Sequence, residues 1–246
     1  MRKLIWIVVL ELFLLAGNCP TNGNVSEHGA SKKYALFVVL EDRSGSTDAL
    51  RKLTPEKYLA LFNAFAKKNC GQIAVRVIGN PAPEDNNFYL LDLDCPQPLQ
   101  PIPRGARLSK KAHINKQNEE IKRQNANLIQ ANRKKIEDFV QNTIVPHVIQ
   151  YKPYKGRDVT DIRGALERLE NKLAEAGYQD YDSVEVLIVS DGVHDADRSK
   201  EPLRLKMDKG RLYVVGWKDM SVFQGVKPMR FESVDGFISY YKRKNH

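Results

Sequence analysis

Residues 34–46 read Tyr34-Ala35-Leu36-Phe37-Val38-Val39-Leu40-Glu41-Asp42-Arg43-Ser44-Gly45-Ser46. The first seven are an unbroken apolar run with β-branched and aromatic members. A strand with one wet face alternates apolar and polar residues, whereas one buried on both faces does not. The run therefore predicts an interior strand of a parallel sheet. The abrupt change at Glu41 predicts that this strand delivers a polar loop at its carboxyl end.

Working outward, Thr54-Pro55-Glu56 is a helix start, with a capping hydroxyl and Pro in the first turn. Tyr58, Leu61, Phe62 and Phe65 then repeat at helical spacing, and Asn69-Cys70-Gly71 is read as the end of that helix. Ile73–Ile78 and Phe88–Leu93 read as two strands around a turn rich in Pro, Asn and Asp. Thr160 opens a helix with Ile162, Ala165, Leu166, Leu169 and Leu173 on one face. Val184–Val189 and Leu212–Val215 are buried strands, Met229–Phe231 is a short edge strand, and Val234, Phe237, Ile238 and Tyr241 form the inward stripe of a last helix. Strands alternating with helices predict an α/β fold of three layers, α/β/α, doubly wound. Its sheet is expected to be mostly parallel, with one antiparallel edge hairpin.

Between these elements lies a proline-rich connector, residues 95–103 (CPQPLQPIP). Residues 109–143 contain no Gly or Pro, which predicts one long helix over about 107–143, ended by Pro146 and roughly 50 Å long.

Three polar segments fall after a strand or at a helix start: Glu41–Ser46, Gly156–Asp161 and Val189–Gly192. In an open α/β sheet, ligands bind in the crevice beyond the carboxyl ends of the strands. Asp42 and Asp191 supply two carboxylates there, and Ser44, Ser46 and Thr160 supply three hydroxyls. An all-oxygen set with two formal charges suits a hard divalent cation, Mg²⁺ or Mn²⁺. A cation so weakly neutralised stays electrophilic and would attract a partner's carboxylate.

Asp42-Arg43-Ser44-Gly45-Ser46 resembles the DxSxS motif of von Willebrand factor type A (vWA) domains, which include the integrin I domains. Thr160 and its helix resemble that family's threonine loop, and Ser190-Asp191-Gly192 its aspartate loop. The resemblance spans about residues 34–243. It implies a metal-ion-dependent adhesion site (MIDAS) in which Ser44, Ser46 and Thr160 are metal ligands and Asp42 and Asp191 act largely through bound water. Thr47 and Val159 stand where the family often has Met and Gly; neither change removes a ligand oxygen.

The chain has 246 residues, 39 Lys+Arg against 30 Asp+Glu and a formal net charge of +9. Its 42% hydrophobic and 28% charged content excludes a wholly disordered chain, a collagen and a polytopic membrane protein. The positive charge is concentrated. Between residues 104 and 135 lie Arg104, Arg107, Lys110, Lys111, Lys116, Lys122, Arg123, Arg133, Lys134 and Lys135, opposed in that stretch only by Glu119 and Glu120. Two readings stand for this segment: a solvated helix face, or a docking arm for a polyanion or acidic protein. No aromatic residue interleaves with the basic ones, which argues against nucleic-acid stacking recognition. The apolar stripe of Ile114, Ile121 and Leu128 is too narrow for membrane insertion.

Arg2 and Lys3 precede a mostly apolar run, Leu4–Leu15, followed by Ala16, Gly17, Asn18 and Cys19. This is the layout of a secretory signal peptide at 1–18. Leu15–Cys19 resembles a bacterial lipobox, which implies lipidation of Cys19; a plain signal peptide or an uncleaved anchor remains open. Residues 19–33 read as a flexible tether. The expected location is the cell envelope, with membrane contact only through the N-terminal anchor. Export makes a disulfide between Cys70 and Cys95 plausible, since they flank the two hairpin strands; two unpaired thiols are the alternative. No GxSxG elbow, Walker A loop, HExxH or CxxC occurs, and no general base stands beside the oxygen cluster. The expectation is a metal-dependent protein-binding domain rather than an enzyme. Its ligand would present an Asp or Glu. The alternative is a polyanion or nucleic-acid scaffold acting through residues 104–135.

Overall fold

The first strand, β1 (Lys33–Asp42), runs through the middle of a six-stranded sheet, flanked by parallel neighbours on both sides. A computed structural model describes residues 33–44, 52–80, 87–156, 159–174, 181–193 and 203–245, all within the compact unit Ser31–His246. The proposed signal segment, Cys19 and the tether up to residue 32 lie outside the described residues. Lys33, assigned above to the tether, is already the first residue of β1.

After β1 come α1 (Pro55–Lys68), β2 (Asn69–Ile78), β3 (Tyr89–Leu93), α2 (Leu108–Phe139), α3 (Ile162–Ala174), β4 (Ser183–Val189), β5 (Leu205–Met207), β6 (Arg211–Val215), β7 (Phe223–Gly225), β8 (Met229–Phe231) and α4 (Val234–Lys244). The sheet order is β3-β2-β1-β4-β6-β8. Every pair is parallel except β2–β3, which is antiparallel and lies at an edge. The fold is thus mixed α/β with a mostly parallel sheet. β5 and β7 form a separate parallel pair, Leu205 opposite Phe223, that sequence reading did not anticipate. Three residues are too few to display an alternation.

The apolar run of β1 divides between two cores. Ala35, Phe37 and Val39 join Leu187, Val189, Tyr213 and Val215 under α1 and α4. Leu36, Val38 and Leu40 join Val186, Ile188 and Val214 under α3. Both faces of the central strands are dry, which is why the run does not alternate. The helix stripes read from spacing are all buried: Tyr58, Leu61, Phe62 and Phe65 in α1; Ile162, Ala165, Leu166, Leu169 and Leu173 in α3; Val234, Phe237, Ile238 and Tyr241 in α4. The last helix runs to Lys244 and Asn245 is buried, just beyond the boundary at 243.

Two expectations need correcting. Asn69-Cys70-Gly71 does not form a helix tail. Asn69 caps α1 in extended geometry, and the same residue begins β2, so Cys70 lies inside the strand. Nor does Pro146 end the long helix. α2 stops at Phe139, and the chain continues as a π-helical stretch, Val140–Ile149, with Pro146 inside it. Its last turn closes by a bond from Gln150 N–H to Val145 O, five residues back. The wider turn accommodates a ring that would collide with the carbonyl at i−4 in an α-helix. Val140, Ile144 and Val148 hold this stretch against the sheet.

The proline-rich connector does not hang free. Asn132, Asn125 and Asn118, seven residues apart on α2, each grip one backbone position of it. Asn132 Oδ1 accepts from Asp94 N–H (3.2 Å), and Asn132 Nδ2 donates to Asp94 O (2.9 Å). Asn125 makes the same pair with Gln97 at 2.8 Å each. Asn118 makes it with Gln100 at 2.8 and 3.0 Å. Three residues of polyproline II advance ~9 Å and seven of α-helix ~10.5 Å, so the two repeats keep pace as the chains run antiparallel. The base of this arm is fixed by a Cys70–Cys95 disulfide, with Cα atoms 5.0 Å apart. Proline has no N–H to donate, so the connector cannot pair as a regular strand, and the carboxamides instead pair its non-proline positions Asp94, Gln97 and Gln100.

Candidate functional site

The carboxyl ends of β1 and β4 lie side by side, with Glu41 opposite Val189 in the register. Asp42 and Ser190 therefore emerge together. Both are fully buried, and Ser190 Oγ donates to Asp42 Oδ2 at 2.8 Å. The other Asp42 oxygen accepts the Ser44 N–H at 2.8 Å, which folds the start of the loop into an Asx turn. Ser44 is also buried, and Lys52 Nζ donates to its carbonyl at 3.2 Å. Gly192 N–H donates to Ser190 Oγ (3.1 Å) and Val193 N–H to Asp191 Oδ1 (2.9 Å). Gly192 has φ +80°, and a Cβ there would lie 3.3 Å from the buried Trp217 indole. Glycine is what lets the aspartate loop turn against that ring.

Thr160 is buried two residues before α3. It was expected to open this helix. The cap is instead Asp161, whose Oδ1 accepts Gly164 N–H at 2.9 Å, so capping is not what Thr160 is needed for. Burial beside Arg168 lowers the Arg76 guanidinium to about 10, partly offset by Asp161. Of the five residues expected at the metal, Asp42 and Ser44 are directly linked. Asp191 follows Ser190 in the adjoining loop, and Thr160 sits at the head of α3, whose apolar face covers β1 and β4. Ser46 lies outside the described residues.

Electrostatics distinguish Asp42 from its neighbour. Glu41, also fully buried, has a complete retinue: Leu53 N–H donates to Oε1 (2.6 Å), Arg43 Nη2 to Oε2 (2.9 Å), and the Tyr58 hydroxyl to Oε2. Burial pushes the Glu41 carboxyl above its ordinary value; Arg43, Tyr58 and the Leu53 amide pull against that. Burial also raises the Tyr58 hydroxyl well above its usual range. Arg43 in turn donates to Leu53 O at 2.5 Å. The network ties the two ends of the 43–53 loop together. Sequence reading missed it; the signal was a charged residue continuing an otherwise apolar buried strand.

Asp42 has hydrogen bonds from neutral donors but, among the described residues, no cation in ion-pair contact. A buried carboxylate is ordinarily paired or bound to a metal. Its partners are Ser44 N–H and Ser190 Oγ, and the residue types expected with it, Ser44, Thr160 and Asp191, carry the oxygens that suit a hard divalent cation. Among the described residues no group of three or more His, Cys, Asp or Glu side chains comes together. A hydroxyl-dominated centre does not require one.

The basic segment is partly neutralised. Lys122 pairs with Glu119 (2.8 Å), Arg123 with Glu120 (2.9 Å), and Lys135 with Asp94 of the connector (2.6 Å). Arg104, Arg107, Lys110, Lys111, Lys116, Arg133 and Lys134 have no ion pair among the described residues. Among those residues, no helix is long and apolar enough to cross a membrane. No protein-family model matches the chain, and no curated protein matches it.

Proposed function

We propose that residues 34–243 are a three-layer, doubly wound vWA-like domain that binds a protein ligand through a divalent cation at the cell envelope, without catalysis. The observation that carries the reading is Asp42: a fully buried carboxylate at the carboxyl end of the central strand, bonded to Ser44 and Ser190, with no cation beside it among the described residues. Ser44, Ser46 and Thr160 would hold Mg²⁺ or Mn²⁺, with Asp42 and Asp191 behind them. The cation would supply an open coordination position for an Asp or Glu of the ligand. The strand order β3-β2-β1-β4-β6-β8, with its antiparallel edge, supports the vWA reading, as does a core on each face of the sheet.

Residues 1–18 would export the chain and lipidated Cys19 would anchor it; a disulfide between Cys70 and Cys95 accords with an oxidising compartment. The test is capture of ligand from envelope extracts in Mg²⁺ and in EDTA, with wild type and Asp42→Ala. Capture in Mg²⁺ alone, lost in the variant, is expected. Equal capture in EDTA would overturn the reading.

A further inference from the structure

The arm formed by the connector and α2 ends in a turn at residues 103–106. Ala106 N–H donates to Pro103 O at 3.2 Å, and Gly105 takes φ +77°, as a type II turn requires at that position. Around this turn two large aliphatic side chains face solvent, Ile102 at 43% and Leu108 at 84% exposure. Four exposed cations accompany them, Arg104, Arg107, Lys110 and Lys111. No acidic residue occurs between Cys95 and Asn118, so nothing within the tip neutralises them.

Folding does not explain this composition. Cations in the first turn of a helix oppose its dipole, and α2 has no acid there and no side-chain cap. Leu108 is the most exposed large hydrophobic residue described, and it belongs to neither core. The N-terminal two-thirds of α2 contributes no residue to either core. Leu108 lies ~36 Å along the helix from Asn132, where the arm is rooted by the Asp94 pair and the nearby disulfide.

We propose that this tip docks on an anionic lipid surface, its cations meeting headgroup phosphates and Ile102 and Leu108 entering the acyl boundary. The narrow stripe of the helix flank argued against insertion along its length; a tip needs only the residues at its end. Exposed aliphatics favour a membrane over nucleic acid, whose phosphate backbone offers them nothing, and no Phe, Tyr or Trp lies between Cys95 and Asp138 for bases to stack on. The proposal stands independently of the metal site.

The test is co-sedimentation of the full chain with phosphatidylcholine vesicles and with vesicles also containing phosphatidylglycerol, in EDTA throughout. Residues 1–19 carry Arg2 and Lys3 and can favour anionic vesicles on their own, so the readout is the change between wild type and variants that share this segment. Wild type should prefer the anionic vesicles. Replacing Arg104, Arg107, Lys110 and Lys111 together by Gln should reduce that preference by on the order of 10³-fold, about fivefold per cation. Ile102→Ser with Leu108→Ser should weaken anionic-vesicle binding about tenfold. Circular dichroism of each variant should match wild type, since none of these side chains is buried. No anionic preference in wild type overturns the proposal, as does an undiminished preference in the Gln variant. Unchanged vesicle binding by the Ser variant, with duplex DNA competing fully, also overturns it and assigns the tip to polyanions.

Discussion

Ser190 Oγ and Asp42 Oδ2 are 2.8 Å apart although 148 residues separate them in the chain. The contact joins the ends of two neighbouring parallel strands. Because Asp42 is fully buried and has no ion-pair partner among the described residues, Asp42→Asn should cost little in EDTA. In saturating Mg²⁺ only wild type should gain stability, about 2.7 kcal/mol when the ion is at a hundredfold excess over its Kd. Thermal unfolding of both proteins with Mg²⁺ and with EDTA is the measurement. A variant that gains as much as wild type would show the ion binding elsewhere.

Glu41 predicts a pH signature of opposite sign to that of an ordinary surface carboxylate. Its native pKa is raised by burial above 4.5, so between the two values the native state holds a proton that the unfolded state has released. Stability from this group is full below pH 4.5 and is lost as pH rises through the native value. The stability difference between wild type and Glu41→Gln should therefore fall over that window. Urea unfolding at a series of pH values reads it; a difference that rises with pH would contradict the assignment.

The asparagine ladder predicts graded losses. Asn132 is buried at 4% exposure, so Asn132→Ala leaves the Asp94 amide and carbonyl without their partners and should cost about 2–3 kcal/mol. Asn125→Ala exposes the Gln97 groups to water and should cost about 1 kcal/mol. Urea unfolding gives the values. Limited proteolysis within residues 96–104 should accelerate in both variants if the connector is released.

Reduction of the Cys70–Cys95 disulfide opens a loop of 25-residue separation. Loop-closure entropy puts its contribution at about 3.5 kcal/mol. A Cys70→Ala, Cys95→Ala double variant should unfold at lower temperature than wild type, and reductant should lower wild type toward it. Calorimetry with and without reductant checks both.

Much of the fold was legible because burial on two faces erases alternation. The β1 run, the helix stripes and the edge strand at Met229–Phe231 were all readable from local pattern. The polar segment was legible as a run of residue types but not as an exit from the interior. Glu41 and Asp42 still belong to β1 and are fully buried, and Ser44 is buried beyond them. What stayed hidden were interactions whose partners lie far away in the chain. Asn118, Asn125 and Asn132 look like ordinary polar positions of a solvated helix until the connector is laid beside them. Ser190 reads as a turn residue until β4 is placed next to β1, and Glu41 as a surface charge until Leu53 and Tyr58 close over it.

The same division holds for the charge and the oxygens. Sequence alone determined which oxygens leave which strand and where the basic residues are concentrated, because these depend only on order and spacing. Only the tertiary structure decided that Asp42 is buried beside Ser190 and that Asp161 rather than Thr160 caps α3. It also decided that the uncompensated cations gather with Ile102 and Leu108 at the tip of a braced arm. Charge pairing, desolvation and exposure depend on distances across the fold, and no local pattern in the chain encodes those distances.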